Sequence, residues 1–122
     1  MKMHLEQSEQ HLITDYGPGS ISVDGKAFSG SVMVGQMGII EGWFEGEACE
    51  LNMEALAPLI KHKPEIVVFG SGVNHQFPDP RLMAELSSQG IALEVMNTRA
   101  ACRTYNVLVS EFRNVSAALL PL

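Results

Sequence analysis

Residues that could bind an anion follow two predicted strands of the chain. Gly70-Ser71-Gly72 comes after the apolar run Glu65–Phe69, and Thr98 comes after the run Ile91–Met96 and before a helix predicted over 99–111. Because the carboxyl ends of parallel strands lie at one edge of a sheet, we expect the loop and the helix start to meet there. Backbone N–H groups in that first turn favour a carboxylate or phosphate. The predicted ligand-binding residues are Gly70, Ser71, Gly72, Thr98, Arg99, Arg103 and Asn106.

A structural interpretation of the same residues stays open. Thr98 would then only cap the helix, and Arg99 and Arg103 would pair with Glu94 or Glu111. In that case the charged residues of this segment preserve the fold and bind no ligand. The predicted structural ion pairs involve Glu94, Glu111 and Arg113.

The glycine loop only superficially matches a dinucleotide-binding fingerprint. A third glycine would be needed at position 75, where the chain has His75. The segment 77–80, Phe-Pro-Asp-Pro, also separates the glycines from the next helix, so no helix N-terminus would hold a pyrophosphate. We therefore interpret the loop as a tight turn and expect no cofactor.

Cys102 is a weak candidate for a catalytic residue. It lies in the first turn of the predicted helix, where the dipole and Arg103 would lower the thiol pKa, and His75 would be its base. The favoured alternative is a small cysteine packed between helix and sheet, because free cysteine is among the most buried residues. No metal site is expected, because the four histidines show no ligand spacing, these being His4, His11, His62 and His75.

The elements that position these residues change character along the chain. In the first half, glycines separate β-like runs, and Asp24-Gly25 indicates a hairpin turn. This pattern predicts an antiparallel meander of about four strands over His11–Tyr16, Ser20–Val23, Ser31–Val34 and Ile39–Phe44.

In the second half, predicted helices alternate with predicted strands. The helices begin at Asn52, near Asp79 and at Thr98, and the strands cover Glu65–Phe69, Ile91–Met96 and Asn114–Leu120. We expect 91–96 to be buried, and the last helix to face the core with Ala101, Tyr105, Leu108 and Phe112. Such alternation implies parallel crossovers, so the sequence predicts one α/β domain over 1–122 with helices packed on a mixed sheet.

Composition limits the class of protein and of partner. With 122 residues, 46% of them apolar and 18% charged, the chain is expected to fold. Eight basic and fourteen acidic side chains give a net charge of −6, which disfavours nucleic acid. The start of the chain lacks the apolar stretch of a signal peptide, and no apolar run is long enough to cross a bilayer. Two widely separated cysteines are typical of reduced thiols, so a cytoplasmic location is predicted.

The meander is apolar and rich in methionine, which suits either a core or a surface for a protein partner. Trp43 and Phe44 form the predicted partner surface, because interfaces favour these residue types. Most of the remaining apolar residues are expected in the core. The protein partner is unidentified, and we expect a monomer or a weak homo-oligomer.

The segment 94–108, Glu-Val-Met-Asn-Thr-Arg-Ala-Ala-Cys-Arg-Thr-Tyr-Asn-Val-Leu, resembles an uncharacterised small α/β domain family. This family includes mitochondrial complex I (NADH:ubiquinone oxidoreductase) assembly factor 3 and the adipogenesis-associated domain protein. The resemblance extends over nearly the whole chain, with Ser71 where threonine is usual and Asn97 where aspartate is common. It implies a three-layer α/β sandwich, no established enzyme activity and, for the eukaryotic relatives, help in assembling a respiratory membrane complex.

Two hypotheses of function follow. The first is a non-catalytic binding module that aids assembly or biogenesis of a membrane-associated complex, such as a respiratory one. The alternative is a small protein or enzyme that binds an anionic ligand where the glycine loop meets the 99–111 helix.

Overall fold

The structure is a computed structural model, and it describes residues 10–122. In this part of the chain, five strands and a 3-10 turn at Ala48–Glu50 come first, and three α-helices then alternate with three further strands. The strands are β1 (Ile13–Gly17), β2 (Ser20–Val23), β3 (Lys26–Phe28), β4 (Val32–Gly35), β5 (Gly38–Glu41), β6 (Ile66–Gly70), β7 (Ala92–Met96) and β8 (Val115–Leu119). The helices are α1 (Met53–Ile60), α2 (Pro80–Ser88) and α3 (Thr98–Ser110).

Two sheets carry these strands, and the predicted mixed α/β class is confirmed. Strands β1, β2 and β3 form an antiparallel sheet, while the larger sheet has the order β5-β4-β8-β6-β7. In the larger sheet β6 is parallel to both β7 and β8, and β4 is antiparallel to both β5 and β8. Helix α2 connects the parallel neighbours β6 and β7, and α3 then crosses from β7 to β8 on the other side of β6.

Both faces of the larger sheet are covered, one by α3 together with the small sheet and the other by α1 and α2, which produces three layers. One face packs against α3 and the small sheet, in a first core that contains Tyr105 and Val68. The other face packs against α1 and α2, in a second core that contains Phe69 and Leu56. Neighbouring residues of β6 therefore point into different cores, so this central strand is buried along its whole length.

The start and turn signals in the sequence act as predicted at three places. The Asn52 side chain accepts the Ala55 N–H at 2.8 Å and begins α1. The Asp79 side chain accepts the Arg81 N–H at 2.9 Å and begins α2. At the β2–β3 hairpin, Asp24 and Gly25 both have positive φ, 53° and 83°, as a type I′ turn requires.

Several predictions about individual elements were wrong in detail. The meander has five strands rather than about four, and it divides between the two sheets. Strand β7 is an outer strand with Glu94 exposed, because only β6 pairs with it among the described residues. Phe112 is exposed, since α3 ends at Ser110 and the backbone turns at Phe112 with φ of 61°. The buried face of α3 instead comprises Thr98, Ala101, Cys102, Tyr105 and Val109.

None of the helices within residues 10–122 combines the length and apolar character that a membrane crossing requires. The first nine residues, on which part of the signal-peptide prediction depends and which include His4, lie outside the described part.

Candidate functional site

The glycine loop and the start of α3 do meet at one edge of the larger sheet, and they bind each other directly. The N–H of Thr98 donates to the carbonyl of Gly72 at 2.8 Å, and the N–H of Gly72 donates to the Thr98 hydroxyl at 2.9 Å. That hydroxyl in turn donates to the carbonyl of Leu120 at 2.9 Å. We call this arrangement of Gly70, Gly72, Thr98 and Leu120 the loop–helix joint.

Close packing at the joint explains the residue types found there. A Cβ on Gly70 would lie 2.8 Å from the Thr98 hydroxyl oxygen and 2.9 Å from its Cα, so only glycine fits. Thr98 is fully buried. It was predicted to cap the helix, but the cap is Asn97, whose side chain accepts the Ala100 N–H at 2.9 Å. Thr98 therefore uses its hydroxyl within the fold.

Ser71 and Asn106, two further predicted ligand-binding residues, also bond to the backbone. The Ser71 hydroxyl donates to the carbonyl of Asn74 at 2.7 Å and accepts the Gln76 N–H at 2.9 Å. The Asn106 amide donates to the Ile13 carbonyl at 2.7 Å and accepts its N–H at 3.0 Å. Ser71 thus shapes the loop, and Asn106 attaches β1 to α3.

Arg99 and Arg103 are the two exposed members of the predicted site. The Arg103 guanidinium donates to the Tyr16 hydroxyl at 3.0 Å, and the Arg99 guanidinium carbon lies 5.9 Å from the centre of the same ring. Among residues 10–122, no carboxylate forms an ion pair with either arginine. The expected pairing with Glu94 or Glu111 is therefore absent from the described residues. Binding of an anion by the arginines stays a prediction.

Arg113 forms an ion pair, but its partner is one that the sequence analysis did not name. Its guanidinium donates two hydrogen bonds of 3.1 Å to the carboxylate of Glu65, just before β6. This pairing holds the pKa of Glu65 below its usual value. Within the described residues neither Glu94 nor Glu111 takes part in an ion pair. Arg113 and Glu65 are 48 residues apart in the chain, and they meet only because β8 pairs with β6. The sequence alone therefore did not indicate their contact.

Cys102 lies in the first core, and His75 lies on the surface. The cysteine is fully buried, and burial raises the pKa of its thiol to about 11, although Arg103 and Arg99 act in the opposite direction. The His75 ring is exposed and packs at 4.6 Å from the ring of Phe77. No hydrogen bond joins the two among the described residues, and this arrangement matches the packed cysteine that we favoured.

Trp43 and Phe44 line a groove beside α1. Their rings stack with centroids 5.4 Å apart, and both side chains are half-buried. The Trp43 indole N–H donates to the carbonyl of Leu119 at 3.2 Å, which fixes the ring against β8. The space beside the rings is about 420 Å³. The groove, called the Trp43 groove below, is lined by Ile40, Trp43, Phe44, Asn52, Glu54, Ala55 and Pro58.

A second cavity, of about 410 Å³, was not predicted from the sequence. It lies near the end of α3, where Tyr105 and Phe112 approach the β4–β5 turn at Gly35. The Tyr105 hydroxyl donates to the carbonyl of His11 at 2.8 Å, so this buried polar group is satisfied. The lining residues come from three separate segments of the chain, and no spacing in the sequence marks them. Among the described residues, no three or more His, Cys, Asp or Glu side chains cluster as a metal site would require.

Comparison with known proteins gives a family match over most of the chain. The model of the family described as "Protein of unknown function (DUF498/DUF598)" matches residues 13–120. A protein of Danio rerio named NADH dehydrogenase [ubiquinone] 1 alpha subcomplex assembly factor 3 is 32% identical over 98% of this chain and 69% of its own length. The matches cover about two thirds of the length of the first such relatives.

Bacterial proteins are also similar. An uncharacterized protein of Rhodobacter capsulatus is 33% identical over 90% of this chain and 84% of its own length. A crystal structure of a protein from Bordetella parapertussis has a TM-score of 0.84 at 30% identity, and the alignment covers 93% of this chain and 97% of that one. The family resemblance stated from residues 94–108 is thereby confirmed.

Replacing Thr98 by valine should destabilise the fold through the joint. The change keeps the shape but leaves the buried Gly72 N–H without its acceptor, so we expect the free energy of unfolding to fall by about 1–3 kcal/mol. Urea denaturation measures it. The matched control is Thr104→Val, at a half-buried position of the same helix, with an expected change within about 0.5 kcal/mol. Equal losses in both variants would contradict the role of the joint.

Cys102 should resist alkylation in the folded protein. In a Cys49→Ser variant, which removes the exposed thiol, iodoacetamide at pH 8 should react slowly until denaturant is added. Because the thiol pKa is raised from 9.0 to about 11, folding stability should also decrease as the pH rises from about 9 to 11. Mass spectrometry follows the alkylation, and a native rate equal to that of a free cysteine would show that the thiol is accessible.

Proposed function

The chain belongs to the DUF498/DUF598 family of proteins of unknown function, and from that membership we propose that it is a non-catalytic binding module. Its role would be to aid the assembly or biogenesis of a membrane-associated complex, such as a respiratory one, through contact with a protein. A cytoplasmic location and a monomeric or weakly self-associating state are part of the same proposal.

The observation that carries this proposal is similarity over 98% of the chain to a protein named as an assembly factor. The assembly role named for that relative belongs to its whole length, and about a third of that length lies outside the match. We therefore extend the role to this chain only as a proposal. An assembly factor acts by contact, and contact needs an exposed surface. The Trp43 groove provides partly exposed aromatic rings, which protein interfaces favour. In the loop–helix joint, by contrast, the Thr98 hydroxyl is already hydrogen-bonded to backbone groups of the protein itself.

Loss of the protein should reduce the amount of a membrane complex. In the source organism, deletion of the gene should lower at least one multi-subunit membrane complex on native gels, and the wild-type chain should restore it. A photo-reactive residue at position 44, in the groove, should crosslink to a subunit of that complex in living cells. The same residue at position 107, where Val107 is exposed on α3, is the control and should not crosslink. Unchanged membrane complexes after deletion would refute the proposal.

The second candidate function is binding of a small anion by Arg99 and Arg103. It is favoured by two exposed guanidinium groups that meet at Tyr16 and have no carboxylate partner among residues 10–122. Arginine is suited to this role because its planar group donates paired hydrogen bonds to carboxylate or phosphate oxygens.

Anion binding should appear as thermal stabilisation that depends on these two arginines. Inorganic phosphate and citrate, each at millimolar concentration, should raise the Tm of the wild type but not that of the Arg99→Gln, Arg103→Gln variant. The Lys61→Gln, Lys63→Gln variant loses the same charge from exposed positions and should retain the rise. No rise in the wild type, or an equal rise in all three proteins, would contradict a specific site.

A further inference from the structure

Charge is distributed very unevenly along the segment of the chain that lines the Trp43 groove. Residues 27–60 contain no lysine, arginine or histidine, although the whole chain has eight lysines and arginines. The same stretch contains five carboxylates, which give it a formal charge of −5 out of a net −6 for the chain: Glu41, Glu45, Glu47, Glu50 and Glu54.

The five carboxylates face solvent, and those of Glu50 and Glu54 lie beside the aromatic rings. All five are exposed, and none takes part in an ion pair among residues 10–122. Glu54 lines the groove itself, and Glu45 follows Phe44 directly in the chain. The Glu50 carboxylate accepts the Glu47 N–H at 2.8 Å, which stabilises the 3-10 turn before α1. The groove therefore combines an apolar floor with nearby exposed carboxylates that form no ion pair among residues 10–122.

The rings that form the floor are held in place by the rest of the fold. Trp43 is anchored through its indole N–H to the Leu119 carbonyl, and the Phe44 N–H donates to the Ser31 hydroxyl at 3.2 Å. A Cβ on Gly46 would lie 3.1 Å from the Phe44 ring, so this glycine lets the chain pass close to it. A preformed surface loses less entropy on binding than a flexible one.

We propose that the Trp43 groove binds a basic segment of a partner protein, with an apolar residue on the rings and lysine or arginine on both sides of it. Apolar contact supplies affinity at the centre of such an interface, and complementary charge at its rim supplies specificity and a fast encounter. The inference rests on the proposed function as a protein-binding module, and it adds the chemistry of the partner.

A random dodecapeptide library displayed on phage tests the chemistry without knowledge of the partner. Selection on the wild type, with counter-selection on a Phe44→Ser variant shown to be folded by circular dichroism, should enrich peptides with an apolar residue flanked by lysine or arginine. Enrichment of acidic or uncharged peptides, or no enrichment, would overturn the proposal.

Trp43 is the single tryptophan of the chain, so its fluorescence reports on the groove directly. A tryptophan-free synthetic peptide with the selected sequence should shift this emission saturably, with a Kd that rises with salt. The Glu45→Gln, Glu54→Gln variant should bind at least about 5-fold more weakly at low salt, because two rim charges are lost. The control, Glu94→Gln with Glu111→Gln, loses the same charge at exposed positions outside the 27–60 stretch and should keep the wild-type Kd.

Other occupants of the groove would give different results. If a second copy of the chain fills it, Trp43 emission will depend on protein concentration and sedimentation will show a dimer, which would overturn the proposal. Equal binding of a peptide with glutamate in place of each basic residue would overturn it too. Saturable, charge-dependent peptide binding together with unchanged membrane complexes in the deletion strain would support this inference and reject only the assembly role.

Discussion

The fold depends on the contact between the glycine loop after β6 and the first turn of α3. Gly72 and Thr98 exchange two hydrogen bonds, and the Thr98 hydroxyl also reaches the chain just after β8. Three segments that end at the same edge of the sheet are thus connected by a single buried side chain. The close approach at Gly70 lets the helix begin directly over the sheet, with its buried face on the first core. Close packing against Thr98 is therefore sufficient to explain why the loop has glycine at position 70.

Much of the architecture could be predicted from the sequence, since it depends on local signals. The cap at Asn52 and the Asp24-Gly25 turn are short-range patterns that formed as expected, and α2 begins near Asp79 as predicted. Thr98 was harder because Asn97, its neighbour, is an equally good cap, and only the three-dimensional packing decides between them. The split of the meander into two sheets and the Arg113–Glu65 pair depend on long-range pairing, which a single sequence does not encode visibly.

The candidate site shows the same division more sharply. Sequence reasoning brought together the right segments, because parallel strands deliver their carboxyl ends to one edge. It could not tell that Thr98 and Asn106 bond to the backbone while Arg99 and Arg103 face outward, since all four lie on one helix. The Trp43 groove was recognised through its aromatic residues, but its α1 wall was not, because Ala55 and Pro58 carry no functional signal of their own. Surfaces built from ordinary residues are visible only once the elements are assembled.

The outer strands of the larger sheet, β5 and β7, carry Glu41 and Glu94 on exposed positions. An unpaired strand edge is a template for polymerisation, and charge placed on it discourages that outcome. Two copies that approach through either edge would bring like carboxylates together in a place where strand pairing begins to exclude water. The arrangement therefore disfavours edge-to-edge pairing between copies of the chain.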